Sequence, residues 1–393
     1  MDTHHVLHGL QELGHEVHLV GVRSADTWER GDFETSTLPF PAARLDFGKN
    51  EFAPRTVVDR LSRAVSPLQP DLIVVGDSFF LKPLLLTALG SAPVIARYYA
   101  HEMACHKDIT RFRRGVPCPN NFLDTPDECR RCGAEHLAPL LKQGTTTAWT
   151  EEYLAARAYK PTYHDAMRAG HVNTAAAIVY NESMRQCLLP HCKDVVIIPG
   201  GVDSVLYADV PPGIEKATHT IFMPGRCEDP VKGLQVLLDA AERLWLHRQD
   251  FEVRATLPED TAGPAWLRPV GWCDQERLKQ HYAEADICVV PSIWEEPFGI
   301  VALEAMACGR PVCASAIGGL KDIVVDGMTG LHFPAGDSAA LAECLNTLLS
   351  DPHMRAAMGR AGRERAAVSY DWKHIVCTHY APLFERVAAR EHS

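Results

Sequence analysis

The sequence lacks any apolar run long enough to cross a bilayer. The nearest approach, Leu81–Leu89, is short and carries Lys82, whereas a span needs roughly 18 residues. It also lacks an excess of positive charge. Its 39 Lys and Arg stand against 50 Asp and Glu, a net charge of −11, which argues against a general nucleic-acid binder. The start has no apolar core behind a basic residue. Asp2, His4, His5 and His8 stand there instead, so no secretory leader is expected. No D-x-D pair marks a divalent metal, and no glycine-rich turn follows an opening strand, as it does in most doubly wound sheets. Cysteine is plentiful, 13 in all, but odd in number and scattered through core-like segments (Cys288, Cys308, Cys313). That pattern suits reduced thiols in a cytoplasm better than a disulfide framework.

What is present suits a soluble globular chain, with 46% apolar and 23% charged residues. A length of 393 residues allows two domains. Strand-like and helix-like segments alternate, the pattern of parallel α/β sheets. The chain opens on a helix through Val6, Leu7, Leu10 and Leu13, stopped at Gly14. Strands are predicted at 16–22, 71–77, 93–99, 175–181 and 194–199, with helices at 61–65, 79–89, 147–175 and from 182. Residues 23–55 carry no readable pattern. Pro199-Gly200-Gly201-Val202-Asp203 reads as an interdomain hinge. Beyond it, strands are predicted at 219–224, 251–256, 270–272, 287–291 and 311–315, alternating with helices at 234–247, 278–285 and 298–308. Helices at 338–350, 352–367 and 371–389 finish the chain. The expected domains are 1–200 and 201–370, with 371–393 as a terminal segment.

The stretch Asp286–Phe333 organises the second half. A strand leads to Glu295 and Glu296, and a helix follows in which Val301, Ala302, Leu303, Ala305, Met306, Ala307 and Cys308 are apolar all round. Such a helix should be buried, yet Glu304 sits in its middle and needs donors. Glu296 stands at the helix entrance, beside the first-turn amides of Phe298, Gly299 and Ile300. A helix entrance attracts anions. Two readings of this spacing stay open. The amides take a phosphate while both carboxylates take sugar hydroxyls, or Glu296 favours the helix dipole and Glu304 pairs with a structural Arg. After the 219–224 strand come Arg226, Lys232 and Gly233. A lysine at a helix N-terminus is disfavoured by the dipole, and a bound polyanion would resolve that. Arg226 can add a bidentate phosphate contact.

E-P-F-G-I-V-A-L-E, with EAMACGRPV, GG and DGMTG after it, resembles glycosyltransferase family four (the group 1 glycosyltransferases). The resemblance runs through most of the second half. It implies the GT-B fold, two Rossmann-like doubly wound α/β domains facing across a cleft. It also implies sugar transfer from a nucleotide-diphosphate sugar to a hydroxyl, with retention of anomeric configuration. Glu296 would hold hydroxyls of the donor sugar and Glu304 the ribose diol. G-R-x-x-x-x-K-G is similar to Gly225–Gly233, allowing one extra residue, so Arg226 and Lys232 would neutralise the diphosphate and make a catalytic metal unnecessary. The family also carries an opening strand and glycine loop that this sequence lacks, and a truncated start is the expectation. In the fold class a terminal helix crosses back to the first domain, the role implied for 371–393. Readings also left open are a phosphorylase or nucleotide-sugar epimerase on the same fold, and a non-catalytic nucleotide-sugar-binding protein.

In the first half, His101-Glu102 follows a strand at the end where α/β sheets place ligands. The family often has His-Asp there, with the His facing the donor sugar. An insert at 105–132 then carries Cys105, Cys118, Cys129 and Cys132. Cys129-x-x-Cys132 has zinc-ligand spacing; the alternative is a loop with free thiols or one disulfide. Arg111, Arg113, Arg114, Arg130 and Arg131 make the insert basic, a face for an anionic acceptor, a membrane surface or plain solvent. The implied acceptor is a saccharide, lipid-linked or other hydroxyl compound. A peripheral association with the inner face of a membrane is compatible with this.

Overall fold

Short apolar strands separated by helices build parallel sheets throughout. The computed structural model describes residues 2–24, 34–48, 51–89, 92–144, 147–211 and 216–389. The chain divides into two units. One holds Met1–Arg111, Cys118–Ile198 and Val376–Ser393, and the other Phe112–Pro117 and Pro199–Ile375. Of the expected terminal segment, residues 390–393 lie outside the described residues.

The first unit opens on a helix, Asp2–Glu12. Strands β1 (Leu19–Ser24) and β2 (Ala42–Phe47) pair in parallel, Leu19 opposite Ala42 through Ser24 opposite Phe47. A separate four-stranded parallel sheet has the order β3-β4-β7-β8, with β3 Ile73–Val75, β4 Val94–Arg97, β7 Ala176–Val179 and β8 Val195–Ile197. The two central strands are buried at every position, as a parallel sheet covered on both faces requires. Strand β2 falls in the span where the sequence gives no pattern. Its residues Arg44 and Asp46 are polar, and Asp46 pairs with Arg23 on β1 at 2.8 Å, while Phe47 is buried in the core.

The insert is more regular than the sequence predicts. It contains the antiparallel hairpin β5–β6 (Phe112–Arg113 and Val116–Pro117) and a helix, Pro126–Lys142. The helix predicted over 147–175 is two, Ala148–Ala155 and Thr162–Asn173. Arg157 at φ 53° and Pro161 separate them.

The second unit is one six-stranded parallel sheet, β11-β10-β9-β12-β13-β14. Its strands are β9 His219–Met223, β10 Phe251–Ala255, β11 Leu267–Pro269, β12 Ile287–Val290, β13 Val312–Ser315 and β14 Gly330–Phe333. The strand expected at 270–272 lies upstream at Leu267–Pro269, and Gly271 at φ 73° stands where the expectation fell. The chain builds outward from β9 to β11, then returns to the other side of β9 with β12. The order therefore reverses between β9 and β12. Open α/β sheets bind ligands beyond the carboxyl ends of their strands at such a point. The terminal helix expected over 371–389 is broken into Trp372–Ile375, a π turn at Val376–Tyr380, and Ala381–Ala389. No helix among the described residues is long and apolar enough to cross a membrane.

Candidate active site

The loops after β9 and β12 leave the sheet at the switch point, and they are stitched together. Ile293 N–H donates to Val231 O at 2.9 Å. Gly233 stands at φ 79°, and a Cβ there would lie 1.9 Å from Pro291 O. Only glycine combines that dihedral with that approach. The helix Leu234–Trp245 begins directly after it.

This stitching brings Lys232 onto Glu296. Lys232 Nζ lies 2.9 Å from Glu296 Oε1 and 3.0 Å from Oε2. Ser292 Oγ and Trp294 Nε1 also donate to Oε2, at 2.9 and 2.8 Å. The Trp294 ring backs the ammonium at 4.9 Å, a cation–π contact that steadies it. Glu296 thus compensates the charge of Lys232. Three donors crowd Oε2 and one reaches Oε1. A carboxylate offers about four lone-pair positions, so Oε1 keeps capacity for a further donor.

Across from this pair, Gly318 stands at φ 53° and its Cβ would meet Glu296 O at 2.4 Å. Gly319 N–H donates to that same oxygen at 2.7 Å. The loop after β13 thus fixes the Glu296 backbone. The helix Ile300–Ala307 follows, shorter than the predicted 298–308, with Gly299 as its N-cap at φ 106°. Phe298 is buried and Ile300 is partly exposed at the helix entrance. The first-turn amides have no acceptor within the helix, as at any helix start.

Glu304 is buried on this helix. Tyr282, on the helix Gln275–Glu284, brings its hydroxyl to 2.9 Å from Glu304 Oε2 and 3.2 Å from Val301 O. Tyr207 adds a second hydroxyl contact. Burial pushes the Glu304 carboxyl up to about 7, and the two tyrosine hydrogen bonds partly offset it. The structural-arginine reading of Glu304 is replaced by two phenols.

Arg226 is half-exposed and its ion partner is Asp229, at 3.6 Å. It shares the loop with Lys232 but stands outside the Lys232–Glu296 cluster. In the first unit, His101 is fully buried on a single 3-10 turn, His101–Met103. Its neighbour Glu102 accepts from Lys82 Nζ at 3.2 Å, Tyr99 N–H at 3.1 Å and Ala100 N–H at 2.8 Å. Glu102 therefore locks the end of β4 to a buried lysine.

The insert gives no support to a structural zinc. Among the described residues, no group of three or more His, Cys, Asp or Glu side chains is arranged to hold a metal ion. Cys129 and Cys132 lie on the helix Pro126–Lys142. Cys129 Sγ meets Thr125 Oγ1 at 3.6 Å, and Cys105 Sγ donates toward Asp108 at 3.8 Å. Burial raises both thiols, Cys105 to about 12, and so opposes the thiolate form a metal takes. Cys118 is also a thiol.

Residues 267–365 match the family described as glycosyl transferases, group 1. Over that stretch the chain is similar to the family. A phosphatidyl-myo-inositol mannosyltransferase of Mycobacterium leprae is 36% identical over 209 residues, which is 50% of this chain and 54% of that protein. An alpha-maltose-1-phosphate synthase of Mycolicibacterium smegmatis is 40% identical over 125 residues, 30% of this chain and 32% of its own length. The chain spans about half, or less, of the curated relatives it matches. Among solved structures, a sucrose-phosphate synthase from Thermosynechococcus elongatus superposes with a TM-score of 0.66 at 21% identity, covering 98% of this chain and 92% of that one. HepE of Anabaena, solved with UDP and glucose, gives 0.60 at 16% identity, with 88% and 86% covered. These likenesses establish the GT-B fold for this chain.

Sequence reasoning did not find Ser292, Trp294, Tyr207 or Tyr282. Ser292 and Trp294 flank the loop to Glu296, and their polar hydrogens beside a motif carboxylate were the signal available. The tyrosines reach Glu304 from other elements and leave no local trace.

Proposed function

We propose that this chain transfers a sugar from a nucleotide-diphosphate sugar to an acceptor hydroxyl, with retention of anomeric configuration and without a divalent metal. The observation that carries this reading is the Lys232–Glu296 pair at the switch point of the second unit's sheet. Lys232, with Arg226 on the same loop, supplies positive charge for the diphosphate that leaves. Charge stabilisation of this kind can contribute several kcal/mol to a transition state, and here no metal is needed to provide it. When the diphosphate takes Lys232, Glu296 exchanges its ammonium donor for hydroxyls of the sugar. The first-turn amides of Phe298, Gly299 and Ile300 lie beside it, and Gly233 allows the phosphate-side loop its close approach. Glu304 takes the ribose diol. His101 enters through its place at a strand end and through the family resemblance, and its complete burial leaves the donor-side residues to carry the reading.

The relatives act on different acceptors, so the acceptor is proposed only as a saccharide, lipid-linked or other hydroxyl compound. The UDP in the HepE complex makes UDP-sugars the first donors to test. The reducing compartment proposed for the chain fits its 13 thiols.

The test is calorimetric binding of UDP-glucose, GDP-mannose and ADP-glucose with and without EDTA, followed by product analysis with hydroxyl acceptors. Binding of one donor, unchanged by EDTA and lost in the Arg226→Ala, Lys232→Ala double variant, is the expected result. Failure of every donor to bind would overturn the reading.

A further inference from the structure

The Tyr282 hydroxyl has one hydrogen and two acceptors in reach, Glu304 Oε2 at 2.9 Å and Val301 O at 3.2 Å. Its direction must therefore follow the protonation of Glu304. With an ionised Glu304, the phenol donates to the carboxylate. With a protonated Glu304, the carboxyl O–H donates to the phenol oxygen, and the phenol turns to Val301 O. Both states are fully hydrogen-bonded, so neither leaves a buried polar group stranded. A ribose diol brings two O–H donors, which satisfy a carboxylate better than a carboxyl group that must itself donate.

We propose that Tyr282 and Tyr207 are the positioning residues of the donor site, and that donor binding expels a proton from Glu304 to solvent. The inference rests on the reading of Glu304 as the ribose-binding carboxylate. No bond other than O–H is broken, and the buffer accepts the proton. Three observations support it. Glu304 is buried, and its ordinary carboxylate pKa is pushed up to about 7. Its charge is offset by phenols rather than by a cation. Both phenols are themselves raised above their usual range, by burial and then by the Glu304 charge, so they remain donors at working pH.

The other titratable groups around this helix do not compete. Cys288 on β12 and Cys308 at the helix end are held as neutral thiols by burial. Lys279, Arg310 and Arg363 act on Cys308. Lys321 and Asp322, on the turn after β13, interact with each other, and Asp322 also with Arg365.

The test is calorimetry of UDP-glucose and GDP-mannose binding to the full chain in buffers of different ionisation enthalpy. Such donors carry no titrating phosphate near neutrality, so proton release reports the protein. The expected result for a group near 7 is about half a proton released per donor at pH 7, and affinity about tenfold weaker at pH 6 than at pH 8. Tyr282→Phe removes a donor to the carboxylate, so the half-release pH moves upward. Tyr207→Phe moves it in the same direction and serves if Tyr282→Phe fails to fold. Glu304→Gln abolishes release. A merely structural tyrosine would change stability and leave the release profile in place. Donor binding with no proton release, or with release unchanged in Glu304→Gln and both tyrosine variants, overturns this inference alone. Absence of donor binding at any pH overturns the proposed function with it.

Discussion

Glu296 accepts four hydrogen bonds from three donors, Lys232, Ser292 and Trp294. It has little rotational freedom left, and its orientation is fixed before any substrate arrives. Glu296→Gln keeps the shape but breaks the ion pair and turns an N–H₂ toward Lys232. We expect kcat to fall about 10²–10³-fold while nucleoside-diphosphate affinity changes little, read by steady-state kinetics beside calorimetry. Trp294→Phe removes one of the donors and is expected to cost about 1 kcal/mol, a several-fold loss in kcat/KM. Glu304 carries a different kind of prediction. Its pKa rises from the ordinary 4.5 to about 7 in the folded chain. The stability it contributes is therefore complete below 4.5 and is lost as pH rises through about 7, on the order of 3 kcal/mol in all. Glu304→Gln is fixed neutral and escapes that loss. Scanning calorimetry should show the variant gaining Tm relative to wild type at pH 8, compared with the difference between them at pH 5.

The element that joins the site together is the glycine turn into the helix Leu234–Trp245. A Cβ at Gly233 would overlap Pro291 O at 1.9 Å, at a positive φ besides. Gly233→Ala must part the β9 and β12 loops, and with them Lys232 from Glu296. We expect a urea midpoint lowered by the equivalent of about 2 kcal/mol or more, together with weakened donor binding. Elements with a strong local signature were legible in the sequence. The Glu296–Glu304 spacing, the helix between them and the glycines at 318–319 could be read because each depends on near neighbours. Tyr282 and Tyr207 could not, because they meet Glu304 only after the sheet has brought three elements together. Strand β2 was hidden by its charged residues, and the helix Pro126–Lys142 by its cysteines, arginines and internal Pro139. The strand at Leu267–Pro269 was misplaced because Val270 and Trp272 resemble strand residues, although Trp272 is 73% exposed.

At the scale of the molecule, each unit has its own buried cluster. One centres on residues such as Phe47, Leu86 and Val179, the other on Ile221, Val253 and Val289. Lys232, Glu296, Glu304, Tyr207 and Tyr282 all belong to the second unit. Unfolding should therefore depart from a single two-state transition. A bound donor stabilises only the state that binds it. Calorimetric scans with saturating UDP-glucose are expected to shift the transition of the second unit most. An equal shift of the whole profile would show that the two units melt as one.

The thiols set into the second sheet have a practical consequence. Cys288 on β12 and Cys313 on β13 are completely buried, and Cys377 is exposed. Burial also raises the Cys288 and Cys313 thiols, so both stay protonated and slow to react. An alkylating reagent can reach them only when the centre of the sheet opens. The chain thus carries its own stopwatch. The pace at which these two cysteines gain mass during a labelling pulse records how often β12 and β13 come apart, with Cys377 marking time zero.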